Sequence, residues 1–259
     1  MEYSRTELMT IAAARAVKNE DVCFVGIGLP SAACNLARLT HAPQITLIYE
    51  SGTIRTRPQA LPLSIGDGEL CETALTTVSV PEMFRYWLQA GRINIGFLTG
   101  AQIDRYGNLN STVIGDYAHP KVRLPGGGGA PEIATSCNEI FIVMRQSPKA
   151  FVPKLHFRTS LGHGTDGTER RSLGLRNKGP SLLVTDLCIM RPDPETFEFT
   201  VTSLHPGVAA DEVRESCAWP VRFSARVDGT PPPTHLELET LRELHARTAK
   251  MHEAERVDQ

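Results

Sequence analysis

The 259-residue sequence has no apolar run long enough to span a bilayer, and residues 1–7 contain no apolar signal core. Neither sign of charge is in clear excess, because 27 Lys and Arg residues stand against 29 Asp and Glu residues, a formal net charge of -2. Without a basic field there is no strong attraction for nucleic acid, and without an acidic run there is no solvated tail. These absences predict a cytoplasmic protein that binds neither membranes nor nucleic acid.

Cysteine is present, but no two cysteines stand in a C-x-x-C pair. The six are widely scattered, and several lie inside apolar runs, where a free cysteine behaves as a small hydrophobic residue. The sequence therefore predicts neither a zinc site nor a dithiol motif, and no bound metal. Reduced thiols agree with the same cytoplasmic location.

The first fifty residues alternate between helical and extended patterns. Ser4 and Glu7 have the spacing of a capping box and predict a helix that runs to about residue 18. Buried strands are predicted at 22–25 and 45–49, with a glycine loop and a helix between them. This order is typical of a parallel sheet covered by helices.

The rest of the chain continues the alternation and contains no internal repeat. Further strands are predicted at 93–98, 140–144, 181–184 and 196–202, and further helices at 81–90, from 131 and from 234. The polar, basic segment 160–178 is expected on the surface. We predict a single α/β domain over residues 1–259, an open, mainly parallel sheet flanked by helices, with a frayed tail after about residue 248.

The carboxylate of Glu50 directly follows the predicted strand at 45–49, and Ser51 and Gly52 come next. Open α/β sheets place their chemistry at the carboxyl ends of strands. Carboxylates can act there as covalent nucleophiles towards activated acyl groups. A solvated loop acid is the alternative, since most loop carboxylates have no other role. Ser51 lacks the Gly-x-Ser-x-Gly elbow of a serine nucleophile.

Gly26 and Gly28 lie in a loop between a predicted strand and a helix, with Pro30 in the first helical turn. Two glycines without a third are a weak signal for a dinucleotide site. They predict either a tight turn with positive φ angles or a backbone anion site at the helix N-terminus.

Four consecutive glycines, Gly126 to Gly129, precede a helix that begins near Pro131. A glycine run loses much conformational entropy when it becomes ordered. A flexible surface loop is one explanation. Close approach of the backbone to a ligand, with bare N–H groups as oxyanion donors, is the explanation we favour.

Four other polar loop residues are weaker candidates. Asn108 and Asn110 lie in a stretch dense in polar side chains that bond their own backbone, which predicts a structured turn. A role in lining a functional site is the less favoured alternative. His163 and His205 have no acid or second histidine at ligand spacing and are expected to be structural.

Taken together, the loops resemble the β subunit of class I coenzyme A transferases over nearly the whole chain. The matching stretches are residues 25–30, 49–52, 64–69, 104–108, 114–117, 124–130 and 202–207. The resemblance implies the α/β fold that these transferases share with sugar-phosphate isomerases. The glutamate motif is often Glu-Asn-Gly in the wider family, whereas here it is Glu-Ser-Gly.

The resemblance also implies roles for particular residues. Glu50 matches the family's catalytic glutamate, which attacks an acyl-CoA thioester and passes through an anhydride to a glutamyl-CoA thioester. Gly128 and Gly129, with Ala130 beside them, match the loop that supplies an oxyanion donor. The loops that shape the active site are matched by Gly26, Gly28, Pro30, Ser51 and Gly52.

The implied partners are a coenzyme A thioester, as a substrate and not as a permanently bound cofactor, and an α subunit in a heterodimer or larger heteromer. The implied reaction moves CoA from succinyl-CoA to a dicarboxylic 3-oxo acid such as 3-oxoadipate. A glutaconate-type transferase and a CoA-dependent hydrolase on the same fold are alternatives, and a non-catalytic scaffold for an α subunit is another. Some steroid-ring hydrolase relatives lack the glutamate, so the presence of Glu50 favours transfer.

Overall fold

The computed structural model describes residues 2–257, with side chains up to residue 253. The helices of this part are α1 (Arg5–Arg15), α2 (Leu29–Leu39), α3 (Gly68–Glu72), α4 (Val80–Glu82), α5 (Ala130–Ser136), α6 (Glu169–Ser172), α7 (Ala210–Glu215) and α8 (His235–Val257), with a π-helical segment at Met83–Leu88. The strands are β1 (Val22–Phe24), β2 (Thr46–Ile48), β3 (Thr53–Ile54), β4 (Thr76–Thr77), β5 (Ile95–Leu98), β6 (Gln102–Ile103), β7 (Leu109–Asn110), β8 (Val113–Gly115), β9 (Pro120–Arg123), β10 (Glu139–Val143), β11 (Gly179–Val184), β12 (Cys188–Pro192), β13 (Phe199–Leu204) and β14 (Arg222–Gly229).

The contacts between residues divide the described chain into two compact units. The first unit comprises the residues up to Phe97 together with those from Pro233 onward, and the second is Leu98–Pro232. A single domain over the whole chain therefore stays a prediction.

The first unit is built on parallel strands and three long helices. β1 pairs in parallel with both β2 and β5, as the alternation of helices and strands predicts. Beyond β2 the sheet continues in antiparallel fashion through β3 to β4. Helices α1, α2 and α8 contact one another. The predicted capping box of Ser4 and Glu7 begins α1, and a second capping box, of Thr234 and Glu237, begins α8.

The second unit contains strands in the order β14-β13-β12-β11-β10. The pairs β10–β11 and β13–β14 are parallel, and the two pairs between them are antiparallel. Two short hairpins, β6–β7 and β8–β9, lie outside this sheet. Parallel pairing beside helices in both units confirms the predicted α/β class.

The prediction that segment 160–178 lies on the surface is wrong for part of its length. His163 and Arg170 are only 2% and 5% exposed. The Arg170 guanidinium donates hydrogen bonds to the carbonyl oxygens of Gly162 at 3.0 Å and Ala134 at 3.1 Å, and to Oδ1 of Asn177 at 2.6 Å. Hydrogen bonds of this kind permit a charge to be buried, although burial lowers the pKa of Arg170 to about 10.

The α8 helix continues to Val257, and its last turns contain Ala, Lys, Met and Glu residues, which all favour a helix. Fraying of the tail after about residue 248 stays a prediction. Residues 258–259 lie outside the described part of the chain. No helix within residues 2–257 is both long and apolar enough to cross a membrane.

Candidate active site

Glu50 lies in the tight loop that joins β2 to β3. The N–H of Gly52 donates to the carbonyl oxygen of Tyr49 at 3.0 Å, and the N–H of Tyr49 donates to the carbonyl oxygen of Thr53 at 3.2 Å. These two bonds leave residues 50–52 as a three-residue hairpin loop. The glutamate therefore follows a strand, as predicted, but the chain then turns back at once, which the sequence did not indicate.

Gly52 is the residue that makes this turn possible. Its φ of +98° lies in the region that L side chains rarely adopt. A Cβ at this position would lie 2.0 Å from the carbonyl oxygen of Val78, whose own N–H donates to the carbonyl oxygen of Gly52 at 2.9 Å. The backbone near Val78 therefore packs directly against the hairpin and excludes any other residue type at position 52.

The Glu50 side chain is partly exposed. Among the described side chains it forms neither an ion pair nor a hydrogen bond. The neighbouring hydroxyl oxygen, Oγ of Ser51, is buried and likewise has no hydrogen-bond partner within residues 2–257. An unpaired carboxylate can attack a carbonyl carbon without first losing a donor, so the geometry suits a nucleophile.

The loop from Gly26 to Pro30 lies at the same edge of the sheet as Glu50. Strands β1 and β2 run in parallel, with Phe24 opposite Ile48, so both strands end at this edge. Gly28 precedes α2 with a φ of +82°, and Pro30 follows in the first turn. No side chain caps the N-terminus of α2 within the described structure. The structure thus brings together two of the predicted loops, those of Gly28 and Glu50.

The glycine run belongs to the second unit and is an ordered turn. Gly126 donates its N–H to the carbonyl oxygen of Ser111 at 2.9 Å, and the Ser111 hydroxyl donates to the carbonyl oxygen of Gly126 at 2.8 Å. The N–H of Ala130 is already bonded to the carbonyl oxygen of Gly127 at 2.9 Å. The N–H groups of Gly128 and Gly129, in contrast, have no partner among the described residues. Of Gly128, Gly129 and Ala130, only the two glycines therefore have an N–H that remains available to a ligand.

The four weaker candidates for site residues, Asn108, Asn110, His163 and His205, are all buried and hydrogen-bonded. Asn108 donates to the Asp104 carboxylate at 2.8 Å, and Asn110 donates to the carbonyl oxygen of Val113 at 2.8 Å. His163 contacts the carbonyl oxygen of Pro180 through Nε2 at 2.7 Å, and burial lowers its pKa to about 4. His205 is held through Nε2 by the carbonyl oxygen of Thr185 at 2.8 Å. These contacts agree with the structural roles predicted for them.

A cleft of about 840 Å³ in the second unit is lined by charged side chains. Arg158 pairs there with Glu169 through two bonds of 2.7 Å, and Arg105 lies 3.6 Å from the carboxylate of Glu198. Its arginines are therefore largely neutralised by neighbouring acids. No group of three His, Cys, Asp or Glu side chains placed to hold a metal occurs in the described part of the chain.

Known proteins match the chain over most of its length. The family model for coenzyme A transferase matches residues 6–216. The B-type subunit of the 3-oxoadipate CoA-transferase of Pseudomonas knackmussii is 61% identical over 250 residues, which are 96% of each chain. The B-type subunit of the glutaconate CoA-transferase of Acidaminococcus fermentans is 37% identical over 245 residues, 91% of each chain. The crystal structure of glutaconate coenzyme A-transferase from Acidaminococcus fermentans matches with a TM-score of 0.86 at 31% sequence identity, covering 93% of this chain and 94% of that one.

Proposed function

The chain belongs to the coenzyme A transferase family, and we propose that it is the β subunit of an enzyme that moves CoA from succinyl-CoA to 3-oxoadipate. One observation carries the choice of acceptor acid: the relative that is 61% identical over 96% of each chain is the B-type subunit of a 3-oxoadipate CoA-transferase. The unpaired Glu50 carboxylate at the tip of its hairpin is consistent with this chemistry.

In the proposed reaction, a Glu50 carboxylate oxygen attacks the thioester carbonyl carbon of succinyl-CoA. The C–S bond breaks, CoA leaves as the thiolate, and a mixed anhydride of succinate and Glu50 remains. The thiolate then attacks the Glu50 carbonyl carbon and displaces succinate, which leaves Glu50 as a thioester of CoA. The acceptor carboxylate then attacks the carbonyl carbon of this thioester and displaces the CoA thiolate, which leaves a mixed anhydride of the acceptor and Glu50. The thiolate attacks the acceptor's carbonyl carbon in this anhydride, which produces the new acyl-CoA and frees the Glu50 carboxylate.

A carboxylate suits this exchange because each intermediate is as activated as the thioester it replaces. No proton and no electron pair is lost overall, so no further reactant is required. Water would hydrolyse the anhydride, and the assembled site must therefore exclude it.

The tetrahedral intermediates carry a negatively charged oxygen that needs hydrogen-bond donors. We assign this role to the N–H groups of Gly128 and Gly129, because neither has a partner among the described residues. Ala130 is a poorer choice, since its N–H already closes the turn to Gly127.

Gly129→Pro is expected to lower kcat by about 10²- to 10³-fold, which is the typical loss when one oxyanion donor is removed. The φ of -80° at Gly129 is one that proline adopts, so the substitution deletes the N–H without requiring a new φ at that position. Gly129→Ala keeps the N–H and is the matched control, expected to retain most of the activity. Steady-state rates of the α–β complex, with thermal melting of both variants, measure the difference. Equal losses in the two variants would contradict the assignment.

We further propose that a separate α subunit completes the enzyme. A stretch of the first unit is rich in exposed large apolar side chains: Leu63, Ile65, Leu75, Val80 and Tyr86. Exposed apolar side chains concentrated in this way are typical of a surface that a partner covers. The same stretch contains Val78, which bonds to the hairpin of Glu50. We assign the complex to the cytoplasm, where the six free thiols stay reduced.

The choice of substrate is tested on the purified α–β complex with succinyl-CoA and a panel of acceptor acids. We expect 3-oxoadipate to have the highest kcat/KM, and acetoacetate, which lacks the second carboxylate, to fall below it by at least about a hundredfold. A site that bonds a polar group rejects an analogue without that group, because its own polar groups are left unpaired. Preference for glutaconate would instead indicate a glutaconate-type enzyme. Release of free CoA without any acceptor would indicate a hydrolase.

A further inference from the structure

A buried hydroxyl belongs to the residue next to the proposed nucleophile. Tyr49 precedes Glu50 in the chain, and its side chain is fully buried, with 0% exposure. Its hydroxyl oxygen lies 2.7 Å from Oγ of Ser31, which is 1% exposed. The distance is that of a well-formed O–H···O hydrogen bond.

This hydrogen bond joins two elements that each carry a site loop. Tyr49 directly follows β2 and directly precedes Glu50. Ser31 lies in the first turn of α2, one residue after Pro30. The bond therefore joins the residue next to Glu50 with the residue next to Pro30. In this way it sets the position of the Glu50 hairpin relative to the Gly28–Pro30 loop.

The hydrogen bond is the first in a buried polar chain. The Asn35 amide donates to the carbonyl oxygen of Ser31 at 2.9 Å and lies 3.5 Å from the Tyr49 hydroxyl. Arg38 donates through Nε to Oδ1 of Asn35 at 3.2 Å and through Nη2 to the carbonyl oxygen of Pro58 at 2.7 Å. One face of α2 is thus bonded both to Tyr49, before the Glu50 loop, and to Pro58, in the chain after β3.

Stability alone does not explain these groups. An apolar pair of the same shape is close to neutral in stability when it replaces both partners of a buried hydrogen bond. A hydrogen bond adds a fixed distance and direction, which apolar packing does not. Such precision matters most beside a group that must meet a carbonyl carbon in one orientation.

We propose that Tyr49 is a positioning residue, whose hydrogen bond to Ser31 holds the Glu50 carboxylate in its attacking position against the Gly28–Pro30 loop. The proposal rests on the proposed role of Glu50 as the nucleophile. Tyr49 transfers no proton: burial raises the pKa of its hydroxyl well above the usual range, so the group stays protonated. Removing the hydroxyl should therefore lower the rate without changing the shape of its pH profile.

The test compares Tyr49→Phe, Ser31→Ala and the double variant in the purified α–β complex. We expect each single variant to lower kcat at least about tenfold, towards the hundredfold that a misplacement of about 1 Å can cost, with KM for succinyl-CoA changed less than twofold. Because both changes break the same bond, the double variant should lose no more than the worse single variant. Single-turnover formation of the glutamyl-CoA thioester should slow by the same factor as kcat.

Thr10→Val is the matched control for the loss of a buried hydroxyl. Thr10 is 2% exposed, and its hydroxyl donates only within α1, to the carbonyl oxygen of Thr6 at 2.9 Å. We expect this variant to melt at a lower temperature while keeping its kcat. Wild-type kcat in Tyr49→Phe, or equal losses of kcat in Tyr49→Phe and Thr10→Val, would overturn the proposal.

Two outcomes separate this proposal from the one on which it rests. If Tyr49→Phe does not fold, Ser31→Ala decides alone, since alanine is the residue best tolerated inside a helix. If Glu50→Ala is inactive while Tyr49→Phe and Ser31→Ala keep their rates, the nucleophile stands and the positioning role fails. If Glu50→Ala remains active, the proposed function fails first.

Discussion

Glu50→Ala is expected to abolish CoA transfer by the α–β complex, with a loss on the order of 10⁴- to 10⁶-fold, the range measured when single residues of a serine protease triad are removed. The fold should remain intact, because the partly exposed Glu50 side chain has no hydrogen bond or ion pair among the described side chains. Substitutions at such positions usually change stability by less than about 0.5 kcal/mol. Steady-state assays and thermal melting measure the two effects separately.

Chemical trapping identifies the residue directly. Incubation of the complex with succinyl-CoA and no acceptor should accumulate the glutamyl-CoA thioester, which borohydride reduces to an alcohol and hydroxylamine converts to a hydroxamate. Peptide mass analysis should then find the modification on Glu50 alone. Glu20→Ala, a change of an exposed acid in the same unit, is the control and should transfer CoA normally. Modification of another residue, or substantial transfer by Glu50→Ala, would remove Glu50 from the mechanism.

The chain purified alone is expected to show no measurable transfer, and the addition of its α subunit is expected to restore full activity. The reason is that the chain resembles one half of a two-part active site. It contains Glu50 and one glycine run but no second copy of the glycine loops that could stand for an α half. Transfer rates of the lone chain and of the reconstituted complex at equal concentrations test this directly.

Two controls make this comparison decisive. Circular dichroism of the lone chain should show a folded, helical spectrum, as the helices α1, α2 and α8 require, so that inactivity is not due to unfolding. Substitution of Leu75, which is 70% exposed, by Asp should weaken the association with the α subunit while leaving the melting of the lone chain unchanged, if this side chain lies in the interface. Full activity from the lone chain would refute the heteromer.

Local sequence patterns correctly predicted the elements that depend on neighbouring residues. The capping boxes at Ser4 and Thr234 begin helices because their hydrogen bonds span only three residues. The strands at β1 and β2 follow from short apolar runs between turn signals. The same pattern places Glu50 just beyond the end of β2, and it places Gly28 and Gly129 at the starts of helices α2 and α5.

The sequence did not predict the short strands beyond β2. β3 and β4 contain two residues each, which is too few to show an alternation of apolar and polar positions. The burial of Arg170 was missed because its polarity predicts exposure, whereas its acceptors come from residues such as Ala134, far away in the chain.

By itself, then, the sequence determined the α/β class, the family and the carboxylate that is proposed to react, because these depend on residue type and local spacing. Only the tertiary structure decided how that carboxylate is held. Gly52 is required because the backbone of Val78 lies against it, and the Tyr49 hydroxyl is bonded to Ser31, eighteen residues earlier in the chain. No local pattern specifies such contacts, since they form only when separate strands and helices pack together.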